Sequence, residues 1–198
     1  RSVEFADGDT ILEAARRIGA HVPTLCEFAA LGHRPGTCRM CLVAVKKAGE
    51  SEAHLTTACD TRLEAGMAVR TNVRMVRDAR RLQAELLFAD HCETCSGCAR
   101  HGSCELQAAA ADAGLDLAAL SGKLLDRPSL VDQTKALCYA PDKCMRCLRC
   151  VEACREVQGV GAITFEGAGA HAAIGFDGRP WADSDRCIQC GQCTLVCP

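Results

Sequence analysis

Cysteine is the residue that most constrains this chain. There are 17 cysteines in 198 residues, and most of them lie two or three residues apart. Cysteines that close in sequence do not normally reach disulfide geometry without backbone strain, and an odd number cannot pair completely. Thiolates at short, regular spacings are instead typical of metal ligation. The sequence therefore predicts a fold that depends on bound metal, in a compartment that keeps thiols reduced.

The rest of the composition argues against several other classes of protein. A formal net charge of −2 gives no electrostatic reason to expect nucleic acid or an anionic membrane surface as a partner. No stretch approaches the roughly 18 to 20 uncharged apolar residues of a membrane span, and the first residues lack the apolar core of a signal peptide. We therefore expect a cytoplasmic protein with no membrane span and no nucleic-acid partner.

Residue patterning divides the chain near residues 73 and 136, which predicts domains at 1–73, 74–135 and 136–198. In the first domain, Thr10 and Glu13 form a capping box that begins a helix, and Gly19 is placed to end it. Short strands are predicted over 2–6, 42–45, 55–58 and 67–71. Because the first strand would leave an unpaired edge, we expect a partner strand before residue 1.

The second domain is predicted to be helical. Apolar residues recur at helical spacing over 72–89, and a second, alanine-rich helix is predicted over 106–113. We expect the first helix to bury its apolar residues, and its arginines to face solvent or, alternatively, an acidic partner subunit. The apolar residues are Met75, Ala79, Leu82 and Leu86. The arginines are Arg74, Arg77, Arg80 and Arg81. A linker is predicted over 121–135, and a strand over 162–166.

The first cysteine group has the spacing C-x11-C-x2-C-x17-C. An iron–sulfur cluster needs four soft thiolate ligands, and a loop rich in small residues lets backbone amides point at the sulfur atoms. Gly32, Gly36 and Thr37 supply such a loop. The arrangement resembles the plant-type 2Fe-2S ferredoxin in a wide-spaced variant, although the loop at 46–54 makes the last spacing long. The predicted 2Fe-2S ligands are Cys26, Cys38, Cys41 and Cys59, with structural zinc as the alternative.

The second group is a histidine followed by three cysteines, spaced H-x3-C-x2-C-x5-C. Such a set can hold zinc or a 4Fe-4S cluster. The string HCETCSGCARHGSCELQ resembles the histidine-ligated 4Fe-4S site shared by the respiratory NADH dehydrogenase large subunit, NAD-linked hydrogenases and some formate dehydrogenases. The resemblance implies 4Fe-4S ligation by His91, Cys95, Cys98 and Cys104, with His101 as a candidate hydrogen-bond donor nearby.

The last two groups share the spacing C-x2-C-x2-C-x3-C, which resembles the bacterial two-cluster ferredoxin. In that family the last cysteine of each run ligates the cluster of the other run. The resemblance therefore implies one 4Fe-4S cluster on Cys144, Cys147, Cys150 and Cys197. It implies a second on Cys154, Cys187, Cys190 and Cys193. Arg155 stands where the first run would usually have proline, so its exit turn is expected to differ.

The order of these groups resembles the iron–sulfur module of NAD-linked hydrogenases, NAD-dependent formate dehydrogenases and the respiratory NADH dehydrogenase large subunit. The implied fold class is α+β, with three parts. They are a ferredoxin-like β-grasp 2Fe-2S domain, a small helical domain whose cluster has one histidine and three cysteine ligands, and a two-4Fe-4S ferredoxin domain. The implied cofactors are one 2Fe-2S cluster and three 4Fe-4S clusters.

The resemblance also implies an electron relay in an NAD(P)-linked hydrogenase. Its partners would be a flavin- and NAD-binding diaphorase subunit and a hydrogenase subunit or domain. The first alternative is the same module beside a formate dehydrogenase subunit, and the second is a zinc-stabilised interaction module without redox activity. No nucleophile, base and oxyanion-binding constellation is evident in the sequence, so we expect no catalytic site in this chain.

Several residues fall outside these sets. Cys92 and Cys138 are predicted to be unreactive packed thiols rather than ligands. The glycine motif at 167–172 matches a dinucleotide fingerprint, but the residues after it read as a turn or strand rather than a phosphate-binding helix. No catalytic partner is expected for the remaining histidines, which are His21, His33, His54 and His171.

Overall fold

The computed structural model describes residues 2–89, 91, 95–117, 132–169 and 172–198. It is a mixed helix and sheet protein, as the fold class predicted. The main helices are α1 (Ile11–Arg17), α2 (Arg74–Ala89), α3 (Glu105–Asp112), α4 (Arg149–Glu152) and α5 (Gln192–Leu195). The strands are β1 (Leu42–Lys46), β2 (His54–Thr57), β3 (Ala68–Arg70), β4 (Asp132–Gln133), β5 (Cys138–Tyr139), β6 (Thr164–Glu166) and β7 (Ala173–Gly175). No described helix combines the length and apolar character that crossing a bilayer requires.

Helix α1 begins as the sequence predicts, at a complete capping box. The Glu13 backbone N–H donates to Thr10 Oγ1 at 3.3 Å, and the Thr10 N–H donates to Glu13 Oε2 at 2.8 Å. A cap of this kind typically stabilises a helix by about 1 kcal/mol. Gly19 follows the helix in the left-handed region, with φ of 67°. The capping box fixes the start of α1, which buries Ile11, Leu12 and Ala15 against the sheet.

The sheet of the first domain is antiparallel, in the order β2-β1-β3. All three strands lie within one residue or two of their predicted bounds. Residues 2–6, by contrast, are not a strand, because no described strand pairs with them. The two-stranded ladders β4–β5 and β6–β7 belong to the last domain. The glycine motif at 167–172 falls in the hairpin between β6 and β7, although residues 170 and 171 lie outside the described part.

Helix α2 is present, but its buried face differs from the predicted one. The buried residues are Val76, Arg80, Ala84 and Phe88, whereas Met75, Leu82 and Leu86 are 41%, 57% and 54% exposed. Arg80 is buried because its Nε donates to the backbone carbonyl of Leu42 at 3.0 Å, at the start of β1. That carbonyl gives the guanidinium a partner inside the protein, so the helix packs on β1 through the arginine face.

Three apolar cores support the candidate sites. One lies between α1 and the three-stranded sheet, and another lies around Ile163, Ile174, Phe176 and Trp181 in the last domain. The third combines residues of all three predicted domains, namely Leu25, Cys26, Cys38, Met40, Ala84, Phe88, Leu106, Ala109, Ala110 and Cys147. This shared core packs the three domains directly against one another. Most of the linker predicted over 121–135 lies outside the described residues, which resume at 132 with β4.

Candidate metal centres

The four cysteines of the first group lie together in the interior of the first domain. Cys26, Cys38 and Cys41 lie on one loop that runs into β1, and Cys59 lies just after β2. Their exposed fractions are between 0% and 3%. The strand register places them together, because the Ala58 N–H donates to the Cys41 carbonyl at 3.0 Å. The long C-x17-C spacing is therefore the length of the β1–β2 hairpin.

Contacts among these thiols prevent all four from ionising together in the protein alone. Hydrogen bonds from the Cys38 and Cys59 thiols lower the pKa of Cys26 to about 2. The hydrogen bonds with Cys26 in turn raise the pKa of Cys38 and Cys59, so the group cannot ionise fully. Four buried thiolates need a positively charged group between them, and thiolate ligands select Cu(I), zinc or iron–sulfur clusters. The donor set thus fits an iron–sulfur cluster.

Backbone amides around the first group point at the sulfur atoms. The Cys26 N–H donates to Cys38 Sγ at 3.3 Å, and Gly32 and Gly36 in the same loop adopt left-handed φ values of 61° and 64°. At Gly36 a Cβ would lie 2.6 Å from Asp60 Oδ2, so only glycine fits. This is the small-residue loop that the sequence predicts. Amide donors of this kind lower the cost of negative charge on a cluster.

The second group lines one cavity. His91, Cys95, Cys98 and Cys104 all border it, together with His101 and the apolar side chains of Phe88 and Leu106. His91 follows α2, Cys95 begins a 3₁₀ turn that Cys98 directly follows, and Cys104 precedes the first residue of α3. Cys92 lies outside the described residues. The structure therefore brings all four predicted ligands of this group to one place.

His91 provides an observation that tests whether this cavity fits a metal group. Its Nδ1 is buried and has no hydrogen-bond partner among the described residues. Burial lowers the pKa of His91, which favours the neutral imidazole that binds metals. A buried ring nitrogen without a partner is costly unless it binds something. The cavity therefore fits a group that accepts one imidazole and three thiolates.

The last eight cysteines separate into the two crossed sets that the ferredoxin resemblance implied. Cys154 lines a cavity together with Cys187, Cys190 and Cys193. Cys197 is instead in electrostatic contact with Cys144, Cys147 and Cys150. Burial raises the pKa of Cys147 to about 12 and that of Cys193 to about 11. Buried thiols of this kind ionise readily only beside a cation, as metal ligands do.

The two ferredoxin runs share an unusual backbone conformation. Arg146 and Gln189, at matching positions, have φ values of 56° and 55°, and Leu148 and Gly191, also matching, have 64° and 77°. Left-handed residues other than glycine cost free energy and persist where the surroundings determine them. Alternation of right- and left-handed residues turns successive N–H groups toward one anion. One such N–H, that of Arg146, donates to Cys144 Sγ at 3.4 Å.

Two further observations concern the described cysteines as a whole. All sixteen are free thiols. Cys138 lies apart from the four groups, but it is exposed on β5, so the prediction that it is packed is wrong. No three histidine, cysteine or carboxylate side chains in the described ranges converge as the ligands of a single metal ion do. The ligands of a multi-iron cluster bind different iron atoms and need not meet at one point.

Two polar side chains, those of His33 and Arg149, are buried although the sequence contains no indication of it. His33 was expected to have no catalytic partner, but it is buried and its Nε2 lies 2.9 Å from the Cys147 carbonyl oxygen. Arg149 is buried and binds both Glu105 and the Glu27 carbonyl. Nothing in their spacing indicates burial, because these contacts join residues more than 40 positions apart. Both residues lie between candidate centres of different domains.

Family models match three successive parts of the chain. Residues 1–74 match a 2Fe-2S iron–sulfur cluster binding domain, residues 80–117 match the NADH-ubiquinone oxidoreductase-G iron–sulfur binding region, and residues 143–198 match a 4Fe-4S dicluster domain. The chain therefore carries 2Fe-2S and 4Fe-4S domains in the order that the cysteine spacing predicted.

Curated relatives match over nearly the whole chain. The NADP-reducing hydrogenase subunit HndD of Solidesulfovibrio fructosivorans is 32% identical over all of this chain and 34% of its own length. An NADH-quinone oxidoreductase component of Rhizobium meliloti (strain 1021) is 35% identical over all of this chain and 22% of its own length. A putative formate dehydrogenase of Staphylococcus haemolyticus is 28% identical over 96% of the chain and 19% of its own length. The chain thus spans about a third or less of these relatives.

A solved structure has the same fold over most of the chain. It is the NAD+-reducing [NiFe]-hydrogenase in the H2-reduced state, with a TM-score of 0.77 and 29% identity over 88% of this chain and 70% of that one. The hydrogenase and the NADH-quinone oxidoreductase relatives are named as subunits, so this chain is similar to parts of multi-subunit oxidoreductases.

Proposed function

We propose that this chain, which carries the iron–sulfur domain series shared by NAD-linked hydrogenases, formate dehydrogenases and the NADH dehydrogenase large subunit, relays electrons in an NAD(P)-linked hydrogenase. Its partners would be a flavin- and NAD-binding diaphorase subunit and a subunit or domain that holds the hydrogenase centre. The similarity to HndD and to the [NiFe]-hydrogenase structure supports this choice.

The observation that carries the proposal is the shared core between the candidate centres. Cys26 and Cys147 are buried members of that core, and Cys95 and Cys104 pack against it. Three candidate centres therefore border one apolar region. One-electron carriers are useful as a relay when they lie close together, and the protein contributes their spacing, hydrogen bonds and local dielectric.

We propose four clusters for this relay, with the ligands that the sequence predicts. A 2Fe-2S cluster would bind Cys26, Cys38, Cys41 and Cys59, and the first of three 4Fe-4S clusters would bind His91, Cys95, Cys98 and Cys104. The other two would bind the crossed sets, Cys144, Cys147, Cys150 and Cys197, and Cys154, Cys187, Cys190 and Cys193. When bound, the clusters supply the electron chemistry. The chain holds them and directs amides at their sulfur atoms.

The test of the proposed function is anaerobic co-purification of the tagged, full native gene product with its partners. We expect the isolated complex to reduce NAD(P)+ with hydrogen as electron donor, and to contain flavin. Formate-dependent reduction without hydrogen-dependent reduction would assign the chain to the alternative, a formate dehydrogenase. A complex without either activity, and with zinc in place of iron, would favour the zinc-stabilised interaction module.

One prediction concerns the histidine of the second centre. His91→Cys replaces a neutral imidazole with a thiolate, so the cluster would gain negative charge and its reduction potential would fall. A redox titration followed by electron paramagnetic resonance (EPR) is expected to retain a 4Fe-4S signal at a more negative potential. His54→Cys, at an exposed position on β2 outside this cavity, is the matched control and is expected to leave the titration unchanged. An unchanged His91→Cys titration would show that His91 is not a ligand.

A further inference from the structure

Arg149 is the most completely enclosed charged group between the candidate centres. It begins α4, lies between Cys147 and Cys150 in the sequence, and is 4% exposed. Its Nη1 and Nη2 donate to the two carboxylate oxygens of Glu105 at 2.9 and 2.8 Å. Nη2 also donates to the Glu27 backbone carbonyl at 3.1 Å. The guanidinium is therefore held in one orientation by three hydrogen bonds.

Arg149 and its two hydrogen-bond partners lie beside ligands of three different candidate centres. Glu27 directly follows Cys26 of the first centre, and Glu105 directly follows Cys104 of the second. Arg149 itself lies in the first ferredoxin run. Its guanidinium carbon is 5.2 Å from the centre of the Phe28 ring, a cation–π contact with the loop of the first domain. One side chain thus connects residues that lie beside ligands of three candidate centres.

Glu105 compensates the charge of Arg149 only on one side. The Glu105 side chain is 47% exposed to solvent, whereas the Arg149 side chain is only 5% exposed. The arginine also interacts electrostatically with the sulfur atoms of Cys26, Cys147 and Cys197. An arginine is charged at every physiological pH. The positive charge of Arg149 therefore lies close to ligands of two candidate clusters, while the carboxylate of Glu105 is partly exposed to solvent.

Reduction adds one negative charge to a cluster, and a nearby buried cation stabilises that charge. We propose that Arg149 is a positioning residue that raises the reduction potentials of the clusters held by Cys26 and by Cys147, and that Glu105 partly offsets it. This inference rests on the proposed function, because it requires the clusters to be bound. A single arginine would then influence the reduction potential of one cluster in the first domain and one cluster in the ferredoxin domain.

The test compares two substitutions of opposite charge in the anaerobically purified full chain. Arg149→Met removes the cation and is expected to shift the potentials of the 2Fe-2S cluster and one 4Fe-4S cluster to more negative values. Glu105→Gln removes the counter-charge and is expected to shift the same two potentials to more positive values. The readout is an EPR-monitored redox titration, with iron content measured on each sample. A purely structural role would not give shifts of opposite sign.

Two controls separate charge from folding. Arg149→Lys keeps the charge but loses the two-pronged contact, so a smaller shift than that of Arg149→Met is expected. Arg81→Gln removes an exposed arginine paired with Glu85 on α2 and is expected to leave all potentials unchanged. Unchanged potentials in iron-loaded Glu105→Gln, or shifts of the same sign in both substitutions, would overturn the inference. Absence of iron from the unsubstituted chain would instead overturn the proposed function.

Discussion

Cys59→Ala is expected to abolish the 2Fe-2S signal of the full chain and to leave the 4Fe-4S signals in place. Cys59 is fully buried, and its thiol contacts those of Cys26 and Cys41. Alanine supplies no ligand, so a four-thiolate cluster could not be completed and about two iron atoms per chain should be lost. The measurement is EPR of the reduced protein, together with iron content.

This substitution also tests the long spacing before Cys59, which sequence reasoning left open. Cys138→Ala is the matched control, because Cys138 is exposed on β5 and apart from the candidate centres. The control is expected to keep every signal and all of the iron. Retention of the 2Fe-2S signal by Cys59→Ala would contradict the ligand assignment of the first domain.

The crossed ligand sets of the ferredoxin domain predict which double substitutions affect one cluster and which affect two. Cys144→Ala combined with Cys197→Ala should alter a single 4Fe-4S signal, because both residues would hold the same cluster. Cys187→Ala combined with Cys197→Ala should alter two, since these residues would hold different clusters. The expected losses of iron are up to about four atoms per chain in the first case and up to about eight in the second.

The geometry gives the reason for this expectation. Cys154 lines the cavity of Cys187, Cys190 and Cys193, whereas Cys197 is in contact with Cys144 and Cys147. Cys154→Ala combined with Cys187→Ala is the matched pair and should also alter a single signal. The reverse pattern, in which Cys187 and Cys197 together affect one cluster, would show that each run holds its own cluster.

Local sequence signals predicted the elements whose causes are local. The Thr10–Glu13 capping box and Gly19 set the bounds of α1, and the short runs over 42–45, 55–58 and 67–71 indicated the strands of the first domain. Cysteine spacing predicted the four groups that the structure brings together, because ligands of one cluster recur at short and regular intervals. Family models for 2Fe-2S and 4Fe-4S domains confirm the fold class and the order of the domains.

Features that depend on contacts between distant residues could not be predicted in the same way. Arg80 looked like a solvent-facing helix residue, but a carbonyl at the start of β1 gives it a buried partner. Residues 2–6 were predicted to form a strand, but they have no partner among the described strands and do not form one. Arg146 and Gln189 adopt left-handed conformations, which residues other than glycine disfavour. They occupy matching positions in the two cysteine runs, where this conformation turns backbone N–H groups toward an anion, and the Arg146 N–H donates to Cys144 Sγ.

Quantification of iron and acid-labile sulfide in the anaerobically purified full chain tests the central claim most directly. One 2Fe-2S cluster and three 4Fe-4S clusters predict a coloured protein with about 14 iron atoms per chain and a similar number of sulfide ions. A colourless protein with stoichiometric zinc and no sulfide would contradict the account.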